Sequence, residues 1–98
     1  MPRENAFQTK LEAELSLIYP DAIILKNDPN IVQGIPDLII IHHGKWAFLE
    51  CKRREDAPWQ VNQDYYIGYA RQFAFGEFIY PENRTQVLGE LYEYFRNS

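Results

Sequence analysis

The sequence is poor in the features that mark several classes of protein. It has one cysteine, Cys51, so no internal disulfide can form, and no cysteine or histidine spacing suggests structural zinc. No apolar run reaches the roughly 18 residues that a membrane-spanning helix needs. The first residues, MPRENAFQTK, lack the apolar stretch of a signal peptide. We therefore expect a protein of the reducing cytoplasm.

Length and composition are typical of one small globular domain. Hydrophobic residues make up 46% of the 98 residues and charged residues 24%, which is unlike the composition of a disordered chain. A chain of this length can bury one modest core. We expect a single domain over residues 1–98.

The charge is negative overall but unevenly distributed. A formal net charge of −4 argues against a nucleic-acid partner, because polyanions usually bind basic surfaces. Within residues 45–54, however, four basic residues accompany the single acid Glu50. These basic residues are Lys45, Lys52, Arg53 and Arg54. They either hold phosphates or keep the surface soluble.

Hydrophobic spacing predicts a helix followed by three strands. The first helix presents apolar residues at helical intervals: Phe7, Leu11, Leu15 and Ile18. Pro20 ends it. The segments DAIILKND, IPDLIIIH and KWAFLECKR are predicted strands, and the second is almost wholly apolar, as expected of a central strand. Residues 42–44 form a short turn, which makes the second and third strands antiparallel.

The remainder predicts a helix, a strand and a helix. The helix WQVNQDYYIGYARQFAF ends at Gly76, EFIYP is a short strand, and the last helix begins at Asn83. The inward faces of these helices are predicted to be Tyr66, Tyr69, Ala70 and Phe73, and then Val87, Leu88, Leu91, Tyr94 and Phe95. The order is α-β-β-β-α-β-α, an α/β fold with a four-stranded mixed sheet flanked by helices.

Three charged residues fall on or beside the apolar strands. Side chains alternate along a strand, so Glu50 and Lys52 share one face of the third strand. Asp37 begins the second strand, directly after Pro36. Because the two strands are antiparallel, the start of one lies beside the end of the other. We expect Asp37 to lie close to Glu50 and Lys52.

These residue types suit the hydrolysis of a phosphodiester. Two carboxylates on adjacent strands can hold a hard divalent cation such as Mg²⁺, and the Cys51 carbonyl can add a third oxygen. A lysine two residues beyond the glutamate can orient or deprotonate the attacking water, or stabilise charge on the transition state.

The same residues carry a resemblance to a known family. Pro36-Asp37 followed by ECK at residues 50–52 resembles the PD-(D/E)XK nuclease superfamily signature. Gly34, the pair at residues 53–54 and Gln63 at the start of the next helix resemble the VRR-NUC type and related small phage and junction-resolving nucleases. The resemblance implies a restriction-endonuclease-like fold and a Mg²⁺- or Mn²⁺-dependent DNA endonuclease, in the host cytoplasm if it is phage-encoded.

The resemblance also implies residue roles. Asp37 and Glu50 would be metal ligands, Lys52 the catalytic lysine, and Gln63 a residue that supports the site or contacts substrate. Such nucleases often add a glutamate from the first helix. On a helical wheel Glu4 lies about 25° from the centre of the apolar face, Glu14 about 55° and Glu12 about 105°, so Glu4 is favoured and Glu14 is the second choice. DNA backbone contacts would come from Lys26, Lys45, Arg53 and Arg54. Paired cuts on branched DNA need two sites related by a two-fold axis, which makes a homodimer plausible. A nuclease that is one part of a larger recombination or packaging complex would have the same sequence pattern.

Plainer interpretations stand beside these. Asp37 alone is equally well explained as a turn residue after Pro36. Glu50 and Lys52 can form a cross-strand ion pair, and Gln63 can be a buried structural amide. Glu4 is as readily a solvated residue at a frayed terminus.

Three further features leave the interpretation open. His42 and His43 invite a metal or general-base role, but neighbours on a strand face opposite ways, and a turn position is the commoner explanation. The sequence RREDAPW departs from the resembled family, which usually has a glycine-containing basic loop, and it places Glu55 and Asp56 near the expected substrate path. With the negative net charge, this keeps a second hypothesis, a non-catalytic or partner-dependent module that binds DNA or protein.

Overall fold

The fold has the predicted order of elements. The computed structural model describes residues 3–28, 35–52 and 61–97, without the side chains of residues 3–5 and 61–64. Over those residues it contains α1 (Arg3–Ile18), β1 (Ile23–Lys26), β2 (Leu38–His42), β3 (Lys45–Cys51), α2 (Val61–Phe73), β4 (Phe75–Ile79), a 3₁₀ turn (Pro81–Asn83) and α3 (Arg84–Arg96). The α/β class with a mixed four-stranded sheet is confirmed. None of the described helices is long and apolar enough to cross a membrane.

The sheet has the strand order β1-β2-β3-β4. The first three strands are antiparallel neighbours, while β4 runs parallel to β3 after the chain has passed through α2. Between β2 and β3, His43 and Gly44 both have positive φ, 51° and 81°, as a two-residue type I′ hairpin turn requires. This tight turn sets the register, in which His42 pairs with Lys45 and Leu38 with Leu49.

One face of the sheet packs against α1 and α3. The buried cluster there contains Leu11, Leu15, Tyr19, Leu38, Ile40, Ala47, Leu49, Cys51, Ile79, Val87, Leu91 and Phe95. The predicted strand alternation and the predicted inward face of α3 are confirmed by this cluster. The predicted face of α1 holds for Leu11 and Leu15 but not for Ile18, which is exposed, because the chain leaves the helix there and buries Tyr19 instead.

The inward face and the end of α2 differ from the prediction. Ile67 and Ala70 are buried, whereas Tyr69 and Phe73 are 47% and 66% exposed. Gly76 does not end the helix but lies inside β4. A Cβ on Gly76 would come within 2.7 Å of the Ile67 carbonyl oxygen and 2.8 Å of the Ala70 Cβ. The glycine therefore permits close approach of α2 to the sheet, which turns Ile67 and Ala70 inward.

A polar contact fastens α3 to the start of β3. The Tyr94 hydroxyl donates a hydrogen bond to the Trp46 carbonyl over 2.9 Å, and Lys45 Nζ donates to the Tyr94 carbonyl over 2.7 Å. The Lys45 ammonium also lies 4.9 Å from the centre of the Tyr94 ring. Burial raises the pKa of Tyr94 above its usual value.

The close contact at Gly76 predicts that alanine has opposite effects on stability at two glycines, Gly76 and Gly89. Gly76→Ala should lower the free energy of unfolding by about 1–3 kcal/mol, because the new methyl group overlaps α2. Gly89→Ala is the control: nothing lies within 4 Å of its Cβ on α3, so alanine should raise stability by about 0.5–1 kcal/mol through helix propensity. Urea unfolding of both variants measures this. Equal effects would show that α2 does not approach β4 closely.

The raised pKa of Tyr94 predicts a loss of stability in alkali. Above a pH of about 10 the unfolded chain releases the phenolic proton more readily than the folded protein does, so stability falls as pH rises through the folded-state pKa. Tyr94→Phe removes this contribution, and its urea midpoint should fall less between pH 8 and pH 11 than that of the wild type. An equal fall in both proteins would contradict the prediction.

Candidate functional site

Asp37 and Glu50 lie side by side at the open end of the β2–β3 hairpin. Leu38 pairs with Leu49, so Asp37, one residue before β2, lies opposite Glu50. The Asp37 backbone N–H donates to Glu50 Oε1 over 3.1 Å, and the Cys51 backbone N–H donates to Asp37 Oδ2 over 2.9 Å. Each carboxylate thus accepts a hydrogen bond from a backbone N–H at or next to the other acid. The two acids therefore lie together, as the sequence pattern predicts.

The segment before β2 is fixed by Asn27. The Asn27 backbone N–H donates to the Asp37 carbonyl over 2.9 Å, and its side-chain amide donates to the Ile35 carbonyl over 3.1 Å. Pro36 between these contacts is buried and restricts φ. Asn27 is a positioning residue that sequence reasoning missed, and nothing in its local pattern distinguishes it from an ordinary loop asparagine.

Glu50 and Lys52 are both buried, each 4% exposed. They lie on the sheet face opposite the Cys51 side chain, as strand alternation predicts. The Lys52 backbone N–H donates to the Ile79 carbonyl over 2.8 Å, which extends the pairing of β3 with β4 beyond the strand end. Lys52 Nζ lies 5.7 Å from the centre of the Phe78 ring. Burying two charged groups costs several kcal/mol unless ion pairs or hydrogen bonds compensate them. Charged residues that serve only the fold are therefore seldom buried in this way.

Several predicted site residues, or their side chains, lie outside the part of the chain that the structure describes. Glu4 belongs to α1 and Gln63 to α2, but both side chains fall outside the described residues. Arg53 and Arg54 also lie outside the described residues. Their roles stay predictions.

Three other predicted residues are placed by the structure. Glu14, the second choice for a helix ligand, forms an ion pair of 3.1 Å with Arg84, which links α1 to α3. Lys45 is five residues from Glu50 along β3, about 17 Å at strand spacing. Lys26 is exposed and pairs with Leu38, at the same end of the sheet as the carboxylates. Of the described basic residues proposed for DNA, Lys26 is therefore nearer the acids.

The expectation that His42 and His43 face opposite ways is wrong. Their rings stack, with centroids 3.9 Å apart and planes inclined by 18°. His42 ends β2, but His43 has left the strand and adopts positive φ, so strand alternation no longer applies between them. Asp21, which follows α1, contacts both rings. The turn position of His43 itself is as predicted.

The donor atoms at the open end are those that a hard cation prefers. Carboxylate oxygens favour Mg²⁺ and Mn²⁺, and a carboxylate offers roughly four acceptor positions, so the backbone N–H bonds do not exclude a cation. No family model matches the chain, and no curated protein or solved structure matches it either. The interpretation of this site accordingly depends on the residues and their geometry.

The reciprocal hydrogen bonds predict different effects for two replacements of Asp37. Asp37→Ala removes the acceptor of the Cys51 N–H and should cost about 1–3 kcal/mol of stability. Asp37→Asn keeps an oxygen acceptor and removes one of two adjacent negative charges, so it should cost clearly less. Urea unfolding at pH 7 tests this. Equal losses would show that the oxygen bonded to Cys51 does not stabilise the fold.

Proposed function

We propose that this protein is a Mg²⁺- or Mn²⁺-dependent endonuclease that hydrolyses phosphodiester bonds in DNA. The observation that carries the proposal is the joining of Asp37 and Glu50 at the ends of two adjacent strands, with buried Lys52 on the same strand face as Glu50. Two acids and a lysine on a rigid sheet are the groups that metal-assisted hydrolysis uses.

The carboxylates are the groups that would hold the ion. Asp37 and Glu50 supply oxygen ligands, and the Cys51 carbonyl is the third candidate because its peptide lies against Asp37. When bound, the cation supplies Lewis acidity and lowers the pKa of a coordinated water. The protein's own contribution is to keep the acids in place: each is fixed by a backbone N–H, and Asn27 holds the entry to β2.

Lys52 is the group proposed to handle the proton or the developing charge. Its backbone is held to β4 by the bond to Ile79, so its side chain projects from a fixed point. An ammonium beside the reacting phosphate stabilises negative charge as it develops, and a neutral amine accepts a proton from water. The resemblance implies that cleavage leaves a 5′-phosphate.

The net charge of −4 favours a second candidate. A module of the same fold would bind DNA or a partner protein without cutting, or would cut only when a partner supplies the basic surface. Lys26 and the residues at 53–54 would then set DNA affinity. DNA binding through phosphates weakens steeply as the salt concentration rises, whereas a module that binds a partner protein shows no salt-dependent binding of DNA.

Cleavage of a labelled substrate panel tests the nuclease. The panel contains a four-way junction, a flap, a linear duplex and a single strand, each with Mg²⁺, Mn²⁺ or EDTA. The wild type should cut at least one substrate with metal and none with EDTA. Asp37→Asn and Lys52→Gln should lower the cleavage rate about 100-fold or more. Lys10 is an exposed lysine on α1, and Lys10→Gln should cut at the wild-type rate.

Two further measurements separate the candidates. Mg²⁺ should raise the melting temperature of the wild type but not of Asp37→Asn, because a ligand that binds only the folded state stabilises it. Salt-dependent DNA binding without cleavage by metal-loaded wild type would instead support the module. Light scattering on the same preparation, with and without junction DNA, tests the proposed homodimer.

A further inference from the structure

A second cluster of ligand-type side chains lies at the opposite end of the hairpin. Asp21, His42 and His43 are the one group of three such residues that meet within the described part of the chain, and their donor atoms lie within 4.8 Å of one another. His43 Nε2 is 2.9 Å from Asp21 Oδ2, and His42 Nδ1 is 3.4 Å from Asp21 Oδ1. Two ligands of one tetrahedral zinc ion are separated by about 3.3 Å, given bonds of about 2.0 Å.

The buried side of this cluster has a polar group without a hydrogen bond. Among the described residues, the Tyr19 hydroxyl is buried and makes no hydrogen bond, while buried His42 Nδ1 has Asp21 Oδ1 as its polar neighbour at 3.4 Å. Tyr19 is 5% exposed, and with both histidines it lines a cavity of about 410 Å³. An unpartnered buried polar group is costly, and buried polar groups in folded proteins nearly always have a partner. The Tyr19 hydroxyl thus leaves a hydrogen-bonding position open in the cavity beside the two histidines.

Two basic side chains that line the cavity are held by other partners. The cavity is also lined by Lys45 and Arg96. Lys45 Nζ is bound to the Tyr94 carbonyl, and Arg96 is paired with Glu93 at 2.8 Å. The Asp21 carboxylate supplies a negative charge beside both imidazole rings.

We propose that Asp21, His42 and His43 form a binding site for a transition-metal ion of the zinc type. Two imidazoles and one carboxylate favour Zn²⁺, Co²⁺ or Ni²⁺ over Mg²⁺, which prefers oxygen ligands alone. Tyr19 lines the same cavity as both histidines, so its hydroxyl would be available to a water held by the ion. Stacked rings cannot direct both lone pairs at one ion, so His43, whose side chain is 69% exposed, turns out of the stack on binding.

This site is separate from the Asp37–Glu50 carboxylates. His42 is five residues from Asp37 along β2, about 17 Å at strand spacing. The two ends of the hairpin thus present different donor sets, oxygens at one end and mainly imidazole nitrogens at the other. The proposal does not depend on nuclease activity.

The decisive variant is His43→Asn. Asparagine followed by Gly44 is the preferred pair for a type I′ turn, so this change removes the imidazole while it preserves or strengthens the hairpin. Untagged wild-type chain should bind one Zn²⁺ per molecule by calorimetry and give the intense visible bands of tetrahedral Co²⁺. His43→Asn and Asp21→Asn should weaken Zn²⁺ binding at least about tenfold and lose the Co²⁺ bands.

A control variant keeps the two metal sites distinguishable. Asp37→Asn alters the carboxylate pair and should leave the Co²⁺ bands and the Zn²⁺ affinity unchanged. Melting temperatures without metal establish that each variant is folded. The proposal is overturned if the folded wild type binds no stoichiometric Zn²⁺, if His43→Asn binds Zn²⁺ as tightly as the wild type, or if Asp37→Asn abolishes the Co²⁺ bands.

Discussion

The register of the β2–β3 hairpin is the constraint on which the rest of the structure depends. His43 and Gly44 close it with two residues of positive φ, and the pairing from His42–Lys45 to Leu38–Leu49 follows from that turn. A shift by one residue would exchange the two faces of a strand. Glu50 and Lys52 would then point toward the α1 and α3 side, and Leu49 and Cys51 would leave the core. The apolar residues and the charged residues therefore enforce the same register.

The hairpin separates two kinds of chemistry along its length. At the open end, the carboxylates of half-buried Asp37 and buried Glu50 are held by backbone N–H groups, and burial strengthens the electrostatic interactions of Glu50. At the turn, Asp21 and two stacked imidazoles lie near the surface. Oxygen donors and imidazole donors select different cations. Under the two proposals, the two ends of one pair of strands would bind different ions.

Much of the candidate site could be predicted from local patterns. The apolar run of β2, the short turn and the alternation of β3 were sufficient to place Asp37 beside Glu50, and to put Glu50 and Lys52 on one face. The buried faces around Leu11 and Leu91 followed from helical spacing. The inward face of α2 could not be predicted in this way. Tyr69, Ala70 and Phe73 are all hydrophobic and fit one helical face, yet only Ala70 of the three is buried. The close approach of α2 to the sheet at Gly76 decided it, and helical spacing alone does not show where a helix meets a sheet.

By itself, the sequence determined the order of the elements, the strand alternation and the adjacency of the two acids, because these depend on backbone periodicity and on one short turn. Only the tertiary structure decided the rest. Asn27 holds the entry to β2, Glu14 pairs with Arg84 across two helices, and Asp21 reaches the histidines from the end of α1. These contacts join residues of different elements, and their meeting depends on how those elements pack.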